Sequence, residues 1–357
     1  NILDQFQLDE KVVSAEPFGN GHINDTLKVT NEKGEIKYVL QRINHLIFTN
    51  VDMLQNNFYQ VTTHIRHKLE TKGETDIDRK VLTLIPTTDG KLYYFDGESY
   101  WRILIFIPNA KSYEAVTPEF SYYAGQAFGN FQAMLSDIPV ELGETIPDFH
   151  NMEFRLKQLQ EAITADPVGR VASVKPIIDE LDKRADAMCL AERLHREGKL
   201  PKRICHCDTK VNNMMFDEDG KVLCVIDLDT VMPGLVGHDF GDAIRSYAAS
   251  ELGIPLDVKL SVSRTFFPTK SYGDLTFPQG MYDAVEIRLG AGRGRNWWCV
   301  LYPELCFPDL THAVVPEESK EKLTELLGKE TYAQLLESQN ARLNIQPGIL
   351  KLLKSLL

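Results

Sequence analysis

The chain has 357 residues, of which 43% are hydrophobic and 25% charged, a composition typical of one large or two medium globular domains. Its 39 basic and 51 acidic side chains give a net charge of −12. That balance argues against a general nucleic-acid binder, because such proteins carry a basic stripe. No apolar run approaches the roughly 18–20 residues of a transmembrane helix, and no secretory signal is recognisable. Six cysteines in this length do not indicate a disulfide framework.

The first hundred residues carry strand signals interrupted by one helix. Runs rich in β-branched and aromatic residues alternate with Gly-containing turns, which is typical of hairpins. Strands are predicted at 12–18, 23–30, 36–43, 81–86, 92–95 and 100–107. Between them, apolar residues at helical spacing predict a helix over 51–69. The sequence therefore predicts a small antiparallel sheet with one helix.

Helices dominate the middle of the chain. Thr117-Pro118-Glu119 has the hydroxyl, the proline and the early acid of a helix start, and apolar residues on one face follow as far as Leu135. Further helices are predicted over 151–165 and 174–197. A short strand pair, 204–207 and 222–227, then flanks a polar loop.

This polar loop carries the residues of a phosphoryl-transfer site. It contains H-x-D-x-x-x-x-N from His206 to Asn213, and the following strand ends in Asp227. Phosphoryl transfer needs a carboxylate that orients the acceptor hydroxyl and oxygen ligands for Mg²⁺. The protein-kinase catalytic loop uses this pattern. The pattern predicts Asp208 as the catalytic base and Asn213 and Asp227 as metal ligands.

A second acidic motif lies further along the chain. Asp239-Phe240-Gly241 spells the metal motif of protein kinases, but it follows Pro233-Gly234, which we interpret as a turn, and precedes a predicted helix over 242–249. An Asp in that place is typical of a helix cap. We therefore assign the metal to Asp227 and interpret Asp239 as structural.

Residues ~10–250 resemble the aminoglycoside phosphotransferase and choline kinase-like superfamily, and within it the N-acetylhexosamine 1-kinases. The resemblance rests on the segments 16–24, 40–44, 101–102, 206–213, 226–234 and 239–245. It implies an α+β, bilobal protein-kinase-like fold with an N-lobe over 1–110 and a C-lobe over 111–252. The C-lobe is expected to be truncated, because the helical segment with which the sugar kinases close their sugar pocket is replaced here by another pattern.

The same resemblance implies ligands and site residues. ATP with Mg²⁺ would bind under the 18–24 loop and against the hinge, at Gly19, Asn20, Gly21, Arg42, Phe106 and Pro108. The acceptor would be the anomeric hydroxyl of an N-acetylhexosamine, and the residues facing the sugar would be His22, Asn24, Lys210 and Asp229. A plain hairpin turn at 19–21 and structural roles for His22, Asn24 and Asp229 are the alternatives.

Arg42 occupies the position at which kinases place their phosphate-pairing Lys. Its guanidinium can pair phosphate bidentately, so the exchange is chemically sensible. Kinases hold that Lys with a Glu from the neighbouring helix, whereas the residue aligned with this Glu is Tyr59. Tyr59 cannot form the usual ion pair with Arg42.

The pattern changes near Gly253, where the net charge also changes, from −11 over residues 1–250 to −1 over 251–357. Residues 253–336 resemble the C-terminal half of stage II sporulation protein R, through the segments 256–273, 277–285 and 288–307. The resemblance implies a sporulation protein R-like domain, with C-terminal helices, over 253–357 and a protein partner contacted through 253–336. Independently of the family, alternating apolar residues predict a strand-rich region over 257–310, and apolar faces predict helices over 316–336 and 345–357. The expected fold of this part is a small strand-rich α+β domain. Cys299 and Cys306 would form a disulfide in an exported protein and stay thiols in the cytosol.

The sequence thus predicts an ATP-dependent sugar phosphotransferase fused to a partial sporulation-signalling domain. The alternative is a non-enzymatic signalling protein with an inactive kinase-like domain. The kinase part is expected in the cytoplasm, where ATP is found, whereas the C-terminal part resembles an exported protein. This conflict makes an artefactual join an alternative to a natural fusion. We expect a small-molecule sugar acceptor, no nucleic-acid partner and no membrane span.

Overall fold

The structure, a computed structural model, describes residues 2–19, 23–113, 118–244, 258–267, 269–272 and 275–289, together with Thr324 and Lys329. The chain divides into two compact units, Asn1–Phe149 with Arg203–Leu252 and His150–Lys202 with Gly253–Leu357. The predictions for Asn20, Gly21, His22, Cys299 and Cys306 fall outside the described residues, as do the predicted C-terminal helices apart from Thr324 and Lys329.

The first unit contains a six-stranded antiparallel sheet. Its strands are β1 (Val12–Pro17), β2 (Asp25–Asn31), β3 (Ile36–Ile43), β4 (Leu84–Ile85), β5 (Tyr94–Phe95) and β6 (Tyr100–Ile105). Their order is β1-β2-β3-β6-β4, and β5 also pairs with β6. Leu40 marks the register, because it faces Leu27 on one neighbouring strand and Ile103 on the other. The predicted antiparallel sheet is confirmed, with β4 and β5 shorter than the sequence indicates.

The two faces of this sheet bury different partners. Tyr38 and Leu40 of β3 pack with the N-terminal Leu3 and Phe6, whereas Val39 lies against the opposite cluster, which contains helix residues. Side chains alternate between the faces of a strand. Even-numbered residues of β3 therefore face the N-terminal segment, and odd-numbered residues face the helix.

Helix α1 (Val51–Thr71) covers that second face. It begins after Asn50, whose side-chain oxygen accepts a 3.0 Å bond from the Met53 backbone N–H, a standard N-cap. Phe58, Val61 and Ile65 are buried at helical spacing in the core cluster of this face. The helix predicted over 51–69 is confirmed, because its apolar stripe is what the sheet buries.

Other helices follow the predicted pattern less closely. The remaining α-helices of the described residues are α2 (Ile77–Lys80), α3 (Pro118–Leu135), α4 (Met152–Ala165), α5 (Val171–Met188), α6 (Leu190–Arg196) and α7 (Val236–Ile244). The single helix predicted over 174–197 is in fact two, separated at Cys189. The helix predicted to start at Asp242 begins at Val236 instead. Among the helices that the structure describes, none is long and apolar enough to cross a bilayer.

Short strands surround the polar loop of the first unit. They are β7 (Arg203–Cys205), β8 (Met214–Phe216), β9 (Val222–Val225) and β10 (Met232–Gly234). β8 pairs with β9, and β7 pairs with β10. Pro233 and Gly234, predicted as a turn, are therefore strand residues. A side chain at Gly234 would be crowded, because its Cβ would lie 3.2 Å from the Cβ of Cys205.

The second unit contains α4–α6 and two further hairpins. Strand β11 (Val258–Phe267) pairs with β14 (Gly280–Leu289), and β12 (Lys270–Tyr272) pairs with β13 (Leu275–Phe277). The prediction that the region after residue 257 is rich in strands is confirmed as far as residue 289.

Neighbouring residues of α1 provide a test of this core. Phe58 is 1% exposed and Tyr59 is 44% exposed. Phe58→Ala should lower the free energy of unfolding by about 3–5 kcal/mol, because it leaves a cavity between helix and sheet. Tyr59→Ala, the control, should change it by less than about 1 kcal/mol. Urea unfolding measures both, and equal losses would contradict the packing described.

Candidate active site

The β8–β9 hairpin brings together the two predicted metal ligands. Met214 pairs with Val225, and one position further on the Asn213 carbonyl accepts a 2.9 Å bond from the Ile226 backbone N–H. Asp227 is the next residue, with a left-handed backbone (φ 59°) that turns the chain out of the strand. The strand register thus places Asn213 and Asp227 at the same end of the hairpin.

The predicted base lies at this end of the hairpin as well. The Oδ2 atom of Asp208 accepts a 2.7 Å bond from Lys210 Nζ and a 3.0 Å bond from Asn213 Nδ2. The same amide nitrogen also donates to the Asp208 carbonyl at 2.8 Å. The structure therefore brings Asp208, Lys210 and Asn213 into direct contact, and the Asp208 side chain stays partly exposed.

Asp227 is an unfavourable place for a negative charge. Its side chain reaches solvent, but the protein around the carboxyl group displaces water and so raises its pKa. The neighbouring carboxylates of Asp229 and Asp208 raise this pKa further. His206 and Arg102 oppose this effect without cancelling it. A cation bound beside Asp227 would relieve the repulsion.

The donor set fits Mg²⁺. Asn213 and Asp227 offer an amide oxygen and a carboxylate, the hard oxygen ligands that Mg²⁺ prefers. Within the described residues no group of three His, Cys, Asp or Glu side chains could hold a metal by itself. Mg²⁺ usually binds through one or two protein oxygens together with substrate phosphates and water. A metal at this site would therefore depend on a phosphate ligand.

Two carboxylates of α7 hold the backbone of the polar loop. Asp239 is 3% exposed and accepts 2.8 Å bonds from the backbone N–H groups of His206 and Cys207, and Asp242 accepts one from Thr209. Asp239 is thus structural, as predicted, but it lies inside α7 and does not cap a helix, so that part of the prediction is wrong. The contacts secure Cys207, whose φ of 63° is costly for a residue with a side chain.

A buried ion pair joins the sheet to this region. The Arg102 guanidinium donates to both oxygens of Asp229, at 2.5 and 2.8 Å, and each side chain is only 2% exposed. Arg102 Nε donates to Gln41 at 2.9 Å, and its Cζ lies 4.9 Å from the centre of the Phe58 ring. Asn24 donates a further 2.6 Å bond to Asp229. Sequence analysis missed this pair because its members are 127 positions apart.

This pair gives Asp229 and Asn24, predicted to face a sugar, another role. Both carboxylate oxygens of Asp229 are engaged inside the protein. Asn24 also accepts a bond from the Asn44 backbone N–H at 2.9 Å. In this structure both residues tie the end of the 18–24 loop to the segment after β9.

A cavity of about 470 Å³ lies beside the described part of the 18–24 loop. It brings together Gly19, Asn24 and Arg42, and Gly19 has the positive φ (78°) that a residue without a side chain adopts freely. Asn24 both lines this cavity and bonds Asp229. Asn24 therefore links this cavity to Asp229, two residues after Asp227.

Arg42 lies on the sheet face that covers the N-terminal segment, since it is an even-numbered residue of β3. It pairs there with Asp25, directly across the strand pair. The absence of an acidic α1 residue opposite Arg42 has a structural reason, because α1 covers the other face. Arg102 occupies that face, over Phe58.

The two predicted hinge residues follow β6. The Phe106 ring meets that of Phe18 edge to face, with centroids 6.1 Å apart, so the hinge touches the start of the 18–24 loop. Pro108 is exposed, and its carbonyl accepts a 3.2 Å bond from Arg79 Nε. Phe106 therefore lies at the loop, whereas Pro108 lies at the surface beside α2.

The chain belongs to the phosphotransferase enzyme family, whose profile matches residues 14–261. A second profile, that of stage II sporulation protein R, matches residues 242–312. The sequence is 37% identical over 100 residues to stage II sporulation protein R of Bacillus subtilis (strain 168), which is 28% of this chain and 43% of that protein. The chain thus joins a phosphotransferase domain to a domain similar to less than half of the sporulation protein.

Solved structures similar to this chain are phosphotransferases and kinases of small molecules by name. An aminoglycoside phosphotransferase from Alicyclobacillus acidocaldarius is 15% identical, with a TM-score of 0.45 over 68% of this chain and 69% of its own. Spectinomycin phosphotransferase in complex with ADP and spectinomycin is 13% identical (TM-score 0.42, 67% and 75%). Plasmodium vivax ethanolamine kinase is 17% identical (TM-score 0.38, 66% and 60%).

The raised pKa of Asp227 predicts a stabilising substitution. Above the folded-state pKa the native protein carries an unfavourable charge, so Asp227→Asn should raise the melting temperature at pH 7 in EDTA buffer. The gain should shrink as the pH falls through the raised pKa, and should vanish below the ordinary value of 3.8. Thermal melts from pH 3 to 8 measure the difference.

Asp96→Asn is a control of opposite sign. Backbone N–H groups of Ser99 and Glu98 lower the pKa of Asp96, so its loss should destabilise the protein at pH 7 and matter less in acid. An Asp227→Asn gain that is independent of pH would contradict the electrostatic account.

Proposed function

We propose that this chain is an ATP- and Mg²⁺-dependent phosphotransferase that acts on a sugar hydroxyl, in the manner of an N-acetylhexosamine 1-kinase. The observation that carries the proposal is the grouping of Asp208, Asn213 and Asp227 at one end of the β8–β9 hairpin. Membership of the phosphotransferase family supports the reaction class. The choice of sugar rests on the sequence motifs.

Asp208 is the proposed catalytic base. Its contacts with Lys210 and Asn213 both fall on Oδ2, so in the described part of the chain Oδ1 is the oxygen that accepts the proton of the acceptor hydroxyl. The two bonds hold the carboxylate in one orientation, which lowers the cost of reaching the reactive geometry. Among the described residues predicted to contact the sugar, Lys210 has the most exposed side chain, at 41%.

Asn213 and Asp227 are the proposed Mg²⁺ ligands. Bound Mg²⁺ would neutralise the charge of the nucleotide phosphates during transfer. The pKa of Asp227 is raised first by burial and then by the neighbouring carboxylates, and a bound cation would favour the charged form against both effects. Asn213, fixed through its nitrogen to Asp208, couples the position of the metal to that of the base.

The nucleotide is proposed to bind at the cavity lined by Gly19 and Arg42. Arg42 would exchange its exposed pairing with Asp25 for a phosphate, which presents the same planar, bidentate geometry to a guanidinium. An exposed pair of this kind contributes little stability, so the exchange costs little. Phe106 and Pro108, with the undescribed Asn20 and Gly21, are proposed to complete the site. A cytoplasmic location is proposed for this activity, because the reaction uses ATP.

The test is nucleotide turnover with N-acetylglucosamine and N-acetylgalactosamine. Wild type should form a sugar 1-phosphate, detected by ³¹P NMR, and Asp208→Asn should lower kcat by about 10²–10⁴-fold, because the general base is lost. Asp186→Asn is the matched control, since Asp186 lies on exposed α5 and pairs with Arg193.

Equal rates for wild type and Asp208→Asn would refute the kinase proposal. Turnover with another alcohol and none with either sugar would keep the reaction class and overturn the sugar assignment.

A second candidate function belongs to the C-terminal part. Its 37% identity to stage II sporulation protein R supports a signalling role through a protein partner of residues 253–336. The full chain, fused to a secretion signal, should restore sporulation to Bacillus subtilis that lacks its own protein R. Asp208→Asn should restore it equally well, because signalling does not need phosphoryl transfer. Exported protein that accumulates without restoring sporulation would exclude this role.

A further inference from the structure

We propose that Arg102 is a positioning residue for the metal ligand Asp227 and that it acts through Asp229. The inference rests on the proposed function, because it assigns a purpose to a buried pair within that same site. It begins from the geometry of the pair, in which two guanidinium nitrogens meet two carboxylate oxygens at 2.5 and 2.8 Å. A bidentate fork of this kind fixes orientation as well as distance.

The guanidinium itself is held from two more directions. Gln41 accepts a bond from Nε, and the ring of Phe58 lies beneath the charge. Arg102 also belongs to β6, which pairs with β3 on one side and with β4 and β5 on the other. Arg102 is therefore held in place by the hydrogen-bonded strands of the sheet.

A single helical turn connects Asp229 to the metal ligand. Asp227 precedes the short 3-10 helix Leu228–Thr230. At its end, Thr230 donates a 2.7 Å side-chain bond to the His206 carbonyl, and the Val231 N–H closes on the Leu228 carbonyl at 3.1 Å. Fixing Asp229 therefore fixes the backbone on which Asp227 is mounted.

Stability alone does not account for the pair. Replacing a buried ion pair with apolar residues of similar volume is often neutral or stabilising. What apolar residues cannot supply is a fixed angle between the sheet and the segment that carries Asp227. Asn24 adds the same constraint at the end of the 18–24 loop, through its 2.6 Å bond to Asp229.

Arg102→Lys tests the proposal, because it keeps the charge and removes the fork. The probe is Mn²⁺ with ADP, titrated against the full-length protein and followed by EPR. Loss of a group hydrogen-bonded to a metal ligand typically weakens metal affinity about 10–100-fold. Because Arg102 acts on Asp227 through Asp229, we expect a loss of about tenfold, at the lower end of this range. The Mg²⁺ concentration at half-maximal kcat should rise by a similar factor, with the KM for the sugar unchanged.

Arg196→Lys is the matched control. Arg196 forms a bidentate pair with Glu153, but more than half of its side chain is exposed. The Arg196→Lys protein should bind Mn²⁺ with the affinity of the wild type. If Arg102→Lys does not fold, Gln41→Leu leaves the fork to Asp229 intact and removes the bond to Arg102 Nε, together with the 3.1 Å bond from Gln41 Nε2 to Thr26. A smaller loss of Mn²⁺ affinity is then expected.

The outcomes separate the two proposals. Normal Mn²⁺ affinity in the folded Arg102→Lys or Gln41→Leu protein overturns the positioning role, even when the melting temperature falls. Wild-type protein that binds no Mn²⁺ with ADP overturns both the metal site and the role of Arg102. Mn²⁺ binding that depends on Arg102, without transfer to any sugar, supports the positioning role and contradicts the sugar kinase.

Discussion

The buried pair of Arg102 and Asp229 is the constraint on which the site depends. Taking both charges out of water is expensive, and the protein offsets this with bonds to both carboxylate oxygens and all three guanidinium nitrogens. Removing one partner alone would leave a bare buried charge, at a cost of about 3–5 kcal/mol. The sheet and the segment after β9 therefore keep one relative placement. This placement also fixes where the cavity beside Gly19 lies relative to the segment that carries Asp227.

Around this pair the site is supported by acids with different tasks. The carboxylates of Asp239 and Asp242 accept hydrogen bonds from backbone N–H groups of the polar loop. Such bonds are strong because the acceptor is ionised. Asp208 is oriented by Lys210 and Asn213 but remains partly exposed. Asp227 has a raised pKa, because burial and the neighbouring carboxylates disfavour its charge. The pattern distinguishes carboxylates that build the loop from those available for chemistry.

The sequence predicted those parts of the fold that depend on local patterns. The helix over 51–69 was recognisable because one face is apolar, and the hairpins because turn residues separate strand-forming runs. The start of α7 was not, since Pro233 and Gly234 resemble a turn and become strand only by pairing with β7. The three residues of the phosphoryl-transfer pattern were recognisable by spacing. The role of Arg102 was not recognisable, because the sequence around a strand arginine does not identify a partner in a distant segment.

The β8–β9 hairpin has a consequence for how such sites vary. The gap between Asn213 and Asp227 is set by pairing at the base of the hairpin, where Met214 meets Val225. The far end is a self-contained turn, closed by Asp217, whose side chain accepts the N–H groups of Asp219 and Lys221. Residues added at that turn would lengthen the ribbon without moving either oxygen donor. The number of residues between Asn213 and Asp227 can therefore change among related proteins, whereas the distance between these two residues stays fixed.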